Sequence, residues 1–205
     1  GDAIIAFWNA PLDQPDHALK ACRAALACQK KLEELRPHLR ERFGHELAMR
    51  IGLNSGPAVV GNMGSSRRFD YTAMGDTVNL AARLEGACKQ YKVLILAGEQ
   101  TFEKIKDEIV TREIDIIRVV GKKKPVRVFE IIGEKGQVSS AEMDRIAHFQ
   151  KALEAYQSRD WERALTLFQK LEDDMLAKMY CGRCQSLKQS PPPESWDCVF
   201  EFKEK

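Results

Sequence analysis

The sequence predicts an α+β fold, in which a sheet with helices on one face is followed by a small all-α appendage. Two observations predict it. Up to residue 132, short apolar stretches with a strand pattern are interspersed with amphipathic helical stretches. From residue 142 the pattern is helical almost throughout, and the stretch 133–141 between the two parts is polar and contains glycine. We therefore predict a first domain at 1–132, a linker at 133–141 and a helical tail at 142–205.

Composition narrows the class of protein. The 205 residues carry 32 basic and 30 acidic side chains, a net charge of +2, and 8% aromatic residues. This balance argues against a nucleic-acid partner, which favours a basic surplus. No apolar run approaches the roughly 18 residues of a membrane span. Because the chain starts at Gly1 without a methionine, we expect a fragment of a longer protein.

The predicted elements of the first domain follow in order. Residues 3–8 are apolar and predict a buried strand, and residues 15–43 predict a long amphipathic helix that Pro37 should end or bend. Strands are predicted at 47–54 and 58–60. A turn-rich link is expected at 61–66 because it contains two glycines, at 61 and 64.

The second half of this domain repeats the mixture. An extended stretch at 67–74 precedes a helix at 76–91, which is followed by a strand at 93–96 and a short helix at 99–106. Two further strands, 109–120 and 126–132, are joined by a basic turn and predict an antiparallel ribbon.

The tail has one recognisable pattern. Residues 152–171 contain two apolar-periodic helices joined across 158–160, with Tyr156, Trp161, Ala164 and Phe168 at spacings that resemble a tetratricopeptide hairpin. A single such unit cannot bury its apolar face alone. We therefore expect the tail to dock on the first domain or on another protein.

Four features of the first domain carry possible chemistry. Asn79 and Arg83 lie four residues apart and share one face of the predicted helix. Asp2 precedes an apolar strand, where a carboxylate can bind a hard metal ion. Arg67 begins the extended stretch at 67–74 and Lys122 lies in the basic turn, and both can reach phosphate oxygens. Read one at a time, each is better explained as a solvated polar side chain.

Their combined order is more specific. The sequence Gly-Asp before an apolar strand, a long helix, "RIGLNSGPAVVGNMGSSRRFDYTAMGDTVNLAARLE" and a late strand pair resembles the catalytic domain of class III adenylate/guanylate cyclases. The resemblance runs from residue 1 to about 132. The helical tail of the chain is similar to that of bacterial cyclases that end in a short helical-repeat segment. The resemblance implies a ferredoxin-like sheet and a homodimer in which two chains, head to tail, share each active site.

The resemblance also implies a role for each matching residue. Asp2 corresponds to the second metal-binding aspartate of a site that holds two Mg²⁺ or Mn²⁺ ions. Asn79 orients the ribose and Arg83 stabilises the transition state, both acting on the partner chain's nucleotide. Arg67 contacts the triphosphate. Thr72 pairs with the base-selecting lysine, and threonine there favours ATP over GTP.

The implied reaction is attack of the ribose 3′-hydroxyl on the α-phosphorus of ATP, which gives 3′,5′-cyclic AMP and pyrophosphate. Two departures from the family pattern matter. The first metal aspartate and the base-selecting lysine would precede Gly1, so we expect the fragment itself to be inactive or nearly so. Val120 stands where some members carry a phosphate-contacting lysine, and Lys122 is our candidate substitute. Guanylate cyclase activity and a non-catalytic regulatory or docking module are the alternatives.

Overall fold

The computed structural model describes residues 3–65, 68–118 and 124–201. The helices are α1 (His17–Phe43), α2 (Asp76–Tyr91), α3 (Glu99–Ile105), α4 (Ser140–Gln157), α5 (Trp161–Gln169) and α6 (Met175–Gln189). The strands are β1 (Ile51–Leu53), β2 (Val59–Ser65), β3 (Arg68–Met74), β4 (Ile95–Gly98), β5 (Ile109–Arg118), β6 (Val126–Glu134) and β7 (Phe200–Glu201). Mixed strands and helices confirm the predicted α+β class.

The strands form one sheet and one separate ribbon. Five of them make the sheet in the order β1-β4-β6-β5-β7. The outer pairs, β1 with β4 and β5 with β7, are parallel, whereas β6 is antiparallel to both β4 and β5. The antiparallel β5–β6 pair confirms the predicted late ribbon, here built into the sheet. β2 and β3 form the separate antiparallel ribbon.

Helices cover both faces of the sheet, and not one face as the sequence suggested. Strand β4 is buried at every position. Its Ile95 and Ala97 belong to an apolar cluster with α1 and α3, whereas Leu96 belongs to a cluster with α2, α4, α5 and α6. Because successive strand residues point to opposite faces, the two clusters lie on opposite sides of the sheet. No helix in the described stretches is long and apolar enough to cross a membrane.

The prediction of a buried strand at residues 3–8 is wrong for this structure. Residues 3–8 have no strand structure, and the side chains of Ile4 and Ile5 are 89% and 66% exposed. An apolar run becomes a strand only when a neighbour supplies hydrogen bonds. Strand β1, at the near edge of the sheet, pairs only with β4 among the described strands. The segment instead lies along a cavity beside α1 and α2.

Two further predictions differ from the structure, the link at 61–66 and an end of the helix at Pro37. Residues 61–65 of the expected link are part of β2, which pairs with β3 from Val59 to Ser65, and residue 66 lies outside the described residues. Gly64 adopts φ 147°, so its glycine serves the twist of an extended strand and does not turn the chain. Pro37 lies inside α1, which continues to Phe43 and ends at Gly44 in the left-handed region, φ 70°. One proline removes one backbone donor, and the exposed end of this long helix tolerates that loss.

The tail helices pack on the α2 face of the sheet. α4 ends at Gln157 and α5 begins at Trp161, which confirms the predicted junction at 158–160. Phe149, Phe168 and Tyr180 form the aromatic centre of the tail, with ring centroids 4.9 to 6.0 Å apart. After α6 the chain adds the short strand β7 to the sheet, so the tail is not purely helical. The division into domains at 132 and 142 stays a prediction.

Candidate active site

The candidate site is built at the start of α2. Strand β3 ends at Met74 and α2 begins at Asp76, so Gly75 alone turns the chain. Its φ of 135° is a conformation that side-chain-bearing residues rarely adopt, which explains the glycine. The Gly75 carbonyl then accepts the backbone N–H of Asn79 at 3.1 Å, the first turn of the helix. A strand residue such as Thr72 and the first turns of α2 are thereby held close together.

Asn79 and Arg83 lie on the solvent side of α2. Both side chains are exposed, whereas Leu84 and Tyr91 of the same helix are almost fully buried. One helical turn separates Asn79 from Arg83, so an amide and a guanidinium point from one face. The predicted pairing of these two residues on a helix face is present in the structure. Thr72 is half-buried on β3, opposite Gly61 of β2.

Loop residues after β1 fix the start of α2. The side-chain amide of Asn54 donates to the backbone carbonyl of Thr77 at 3.1 Å. The Thr77 hydroxyl donates to the carbonyl of Pro57 at 2.6 Å. The first turn of α2 is therefore bonded to the loop that joins β1 to β2. Sequence reasoning missed Asn54, although it lies inside the quoted motif, because its partner is a backbone group contributed by a distant segment.

Close backbone packing fixes the middle of α2. A Cβ atom added to Gly52 would lie 2.0 Å from the carbonyl oxygen of Ala81 and 2.4 Å from the backbone nitrogen of Glu85. Only glycine lets β1 approach the helix this closely. An exposed ion pair between Arg50 and Glu85, 2.9 Å, lies beside this contact. Gly52 therefore sets the distance between the sheet and the helix that presents Asn79.

A cavity of about 470 Å³ lies between α1, the start of α2 and residues 5–10. It is lined by Ser55 and Thr77 together with His17 and Lys104. The buried Ser55 accepts a hydrogen bond from the hydroxyl of Thr101 at 3.0 Å. Burial, and secondly the charge of Lys104, lower the pKa of His17, so this imidazole is neutral at pH 7. The cavity wall therefore combines these polar groups with apolar side chains such as Phe7, Trp8 and Val60.

Three of the sequence-predicted site residues, Asp2, Arg67 and Lys122, lie outside the described residues. Within 3–65, 68–118 and 124–201 there is no group of three or more His, Cys, Asp or Glu side chains that could hold a metal ion. The other three predicted site residues, Thr72, Asn79 and Arg83, lie within the described part of the chain.

Apolar side chains are exposed on the ribbon that carries Thr72. Val59 and Met74, which pair across β2 and β3, are 67% and 54% exposed. Phe69 and Tyr71 of β3 are also exposed, and the ring of Phe7 lies 5.7 Å from that of Tyr71. Clustered exposed apolar groups are typical of a surface that another molecule covers.

Comparison with known proteins identifies the family. Residues 1–133 match the family model of the adenylate and guanylate cyclase catalytic domain. The match covers more than half of the chain and includes β1–β3, α2 and the β5–β6 pair. The chain belongs to the family of class III nucleotidyl cyclase catalytic domains, as the motif around Asn79 and Arg83 predicted.

Several of the similar proteins are named adenylate cyclases. Adenylate cyclase 1 of Rhizobium meliloti strain 1021 is 38% identical over 142 residues, which are 69% of this chain and 21% of that protein. The terminal-differentiation-specific adenylate cyclase of Dictyostelium discoideum is 32% identical over 197 residues, which are 92% of this chain and 9% of that protein. The chain thus spans a minor part of the length of these relatives.

Solved structures agree on the fold. The adenylyl cyclase CyaB from P. aeruginosa superposes with a TM-score of 0.56 at 31% identity, over 63% of this chain and 67% of that one. The guanylyl cyclase Cya2 gives a TM-score of 0.56 at 29% identity, over 63% and 65%. A sheet of the cyclase type is therefore shared with enzymes of both nucleotide specificities.

Proposed function

We propose that the protein is an adenylate cyclase that converts ATP to 3′,5′-cyclic AMP and pyrophosphate. The observation that carries the proposal is the exposed face of α2, which presents Asn79 and Arg83. This helix begins directly after the turn at Gly75, which joins it to β3, the strand of Thr72. The relatives named adenylate cyclase support ATP as the substrate. An ATP-consuming site also favours a cytoplasmic location for this part of the chain.

The proposed chemistry is one displacement at phosphorus. The 3′-hydroxyl oxygen bonds to the α-phosphorus, the bond from that phosphorus to the pyrophosphate oxygen breaks, and the hydroxyl proton is lost to the solvent. Asn79 holds the ribose by hydrogen bonds. The guanidinium of Arg83 offsets negative charge that grows on the α-phosphoryl oxygens. Both act by position and charge, which a helix supplies more rigidly than a loop does.

The remaining roles follow the family resemblance. Asp2 is proposed as a carboxylate ligand of two Mg²⁺ or Mn²⁺ ions, which neutralise phosphate charge when they are bound. Arg67 and Lys122 are proposed to contact the triphosphate, and Thr72 to read the base. The parent protein is proposed to be a homodimer with shared sites. The exposed apolar side chains of the β2–β3 ribbon support a partner chain at that surface.

The test is a nucleotide assay on the full-length protein with Mn²⁺ and either ATP or GTP. We expect cyclic AMP from the wild type and a loss of kcat of about 100-fold or more in Asn79→Ala and Arg83→Ala, as for other removed transition-state contacts. Lys89→Ala is the matched control, because Lys89 is an exposed cation on the same helix outside the motif. Unchanged rates in both site variants would reject the assignment, and a preference for GTP would favour guanylate cyclase.

A mixing experiment tests the shared site. Asp2→Ala and Arg83→Ala each inactivate both sites of a homodimer, yet a mixed dimer keeps one site without either substitution if the two residues come from different chains. Random pairing then restores about a quarter of the wild-type activity, since half of the dimers are mixed and each has one intact site. A mixture no more active than its components would show that one chain supplies both residues.

A further inference from the structure

The C-terminal helix α6 is tied to α2 through a buried carboxylate. Asp115 of β5 is 2% exposed. One of its oxygens, Oδ2, accepts the hydroxyl of Tyr91 at 2.6 Å and lies 2.6 Å from the Arg183 guanidinium. Tyr91 is the last residue of α2 and Arg183 lies in α6. One carboxylate thus joins the sheet, the helix of Asn79 and Arg83, and the tail.

A β-bulge gives β5 the shape that this contact needs. In the β5–β6 register, Glu113 lies opposite Phe129 and Asp115 lies opposite Val128, so Ile114 is an extra residue. A bulge bends its strand and re-aims the neighbouring side chains. Ile114 and Asp115 are both buried. The irregularity therefore has an identifiable role, which is to turn Asp115 toward α2 and α6.

The tail also binds the backbone of the bulge. The hydroxyl of Tyr180 donates to the carbonyl of Ile114 at 2.6 Å. The side-chain amide of Gln150 in α4 donates to the carbonyl of Glu113 at 3.1 Å and accepts its N–H at 3.3 Å. Polar backbone groups that the interrupted ladder leaves unpaired are thus satisfied by tail side chains. The tail is fitted to this irregularity of the sheet.

Arg183 keeps the carboxylate of Asp115 usable as an anchor. Its side chain is 14% exposed, and its guanidinium lies 4.0 Å from the ring centroid of Phe200 and 4.9 Å from that of Tyr180. Without this cation the buried carboxylate of Asp115 would lose the positive charge that it pairs with. A buried charge left without its partner is strongly unfavourable, so the carboxylate would shift or take up a proton.

The side-chain amide and close backbone contacts that fix the first half of α2 lie toward one edge of the sheet. Asn54 and Gly52 hold the first turn and the middle of the helix from β1 and its loop. Asp115 lies on β5, beyond β4 and β6 in the sheet order. Tyr91 lies about 12 Å along the axis from Arg83, at 1.5 Å per residue. The buried apolar side of α2 packs on the sheet, and the polar contact that fixes the last residue of the helix is completed by the tail.

We propose that Arg183 is a positioning residue, which fixes the direction of α2 through Asp115 and Tyr91 and so aims Asn79 and Arg83 at the nucleotide. The proposal rests on the cyclase function proposed above. It gives the C-terminal helices a specific part in catalysis, although none of their residues touches the substrate. The loss of such a contact changes where Arg83 points, and a misplacement of about 1 Å can cost up to about 100-fold in rate.

The test compares Arg183→Gln, Arg183→Lys and Tyr91→Phe in the full-length protein with ATP. We expect Arg183→Gln to lower kcat at least tenfold with KM changed less than twofold, because ground-state binding by other groups remains. Arg183→Lys, which keeps the charge, should recover most of kcat. Tyr91→Phe leaves the Arg183–Asp115 pair intact and should lower kcat by itself. Arg163→Gln, an exposed arginine of α5, is the matched control and should be unchanged.

A combined variant separates positioning from general damage. If Arg183 acts through Asn79 and Arg83, then adding Arg183→Gln to the Asn79→Ala/Arg83→Ala double variant should not slow it further. Multiplying losses would overturn the proposal, and so would a wild-type kcat in folded Arg183→Gln and Tyr91→Phe. In that last case the cyclase function stands, provided that Asn79→Ala and Arg83→Ala are slow.

Amide hydrogen exchange gives a readout without turnover. In Arg183→Gln and Tyr91→Phe we expect faster exchange in the last two turns of α2 and unchanged exchange in α1, which packs on the opposite face. Unchanged protection of α2 in both variants would overturn the positioning role even if the wild type produced no cyclic nucleotide. The proposal and the cyclase function therefore fail by different results.

Discussion

At Gly52 the packing of β1 against α2 leaves no room for a side chain. A methyl group there would meet the backbone of α2 at 2.0 Å, and backbone cannot move aside as a side-chain end can. We expect Gly52→Ala to lower the free energy of unfolding by about 1–3 kcal/mol or more, the usual cost of overpacking. Because α2 must shift, the rate of cyclic AMP formation should fall as well. Urea denaturation and the nucleotide assay measure the two effects.

Gly86→Ala is the control for Gly52→Ala. Gly86 is also close to this contact in sequence, because it is a residue of α2, yet a Cβ there meets nothing within 4 Å. Alanine in a helix interior gains about 0.5–1 kcal/mol over glycine. We therefore expect Gly86→Ala to be as stable as the wild type or more so. Equal stability of Gly52→Ala and Gly86→Ala would contradict the close approach of β1 to α2.

At the scale of elements, Asp174 at the start of α6 makes two kinds of contact. One oxygen of Asp174 accepts the backbone N–H groups of Leu176 and Ala177 at 2.9 and 3.1 Å, and the other pairs with Arg112. Arg112 also binds Glu130 of β6 at 2.6 Å. The start of α6 is thus capped and tied to the sheet by the same carboxylate.

These two kinds of contact predict an order of stability among variants of Asp174. Asp174→Asn keeps an oxygen for the cap and loses the charge facing Arg112, whereas Asp174→Ala loses both. Loss of a cap costs about 1 kcal/mol, and removal of one partner of a buried pair costs about 3 kcal/mol or more. We expect thermal unfolding temperatures to fall in the order wild type, Asp174→Asn, Asp174→Ala. A variant Asp174→Ala as stable as Asp174→Asn would show that the cap contributes nothing.

Elements also show what the sequence could and could not predict. The helix at 76–91 was predicted with the observed bounds, because its start at Gly75 and its apolar period are local signals. The strand predicted at residues 3–8 and the link predicted at 61–65 were wrong, since strand pairing depends on a neighbour that a local pattern does not reveal. The face of Asn79 and Arg83 was predictable for the same local reason. The bulge at Ile114 was not, because it depends on a register between distant strands.

At the scale of the whole molecule, the tail and the cyclase sheet share one apolar core. Leu84 of α2, Ile114 of β5, Phe149 of α4 and Tyr180 of α6 are all 0% exposed and belong to the same cluster. Residues on both sides of the predicted boundary therefore contribute to one apolar cluster.

A truncation after residue 139 tests that continuity. We expect the shortened chain to expose the face of α2 and β5 that α4 to α6 cover, and hence to bind a hydrophobic dye and to lose its cooperative unfolding transition. Co-expression of 1–139 with 140–205 as separate chains is the control, because it restores the covering helices without the connection. If 1–139 alone unfolds at the wild-type temperature, the tail is an independent unit.

The tie between Asp115 and Arg183 has a consequence for biosynthesis. The two residues are 68 positions apart, and β7 is joined to β5 from still further along the chain. At about 5–20 residues per second, a ribosome needs roughly 3–14 s to make the stretch that separates them. During that interval the sheet and α2 have emerged or are emerging with an uncovered apolar face, which makes the nascent chain a substrate for chaperones. On the positioning role proposed for Arg183, α2 reaches its final direction only after that residue has been synthesised.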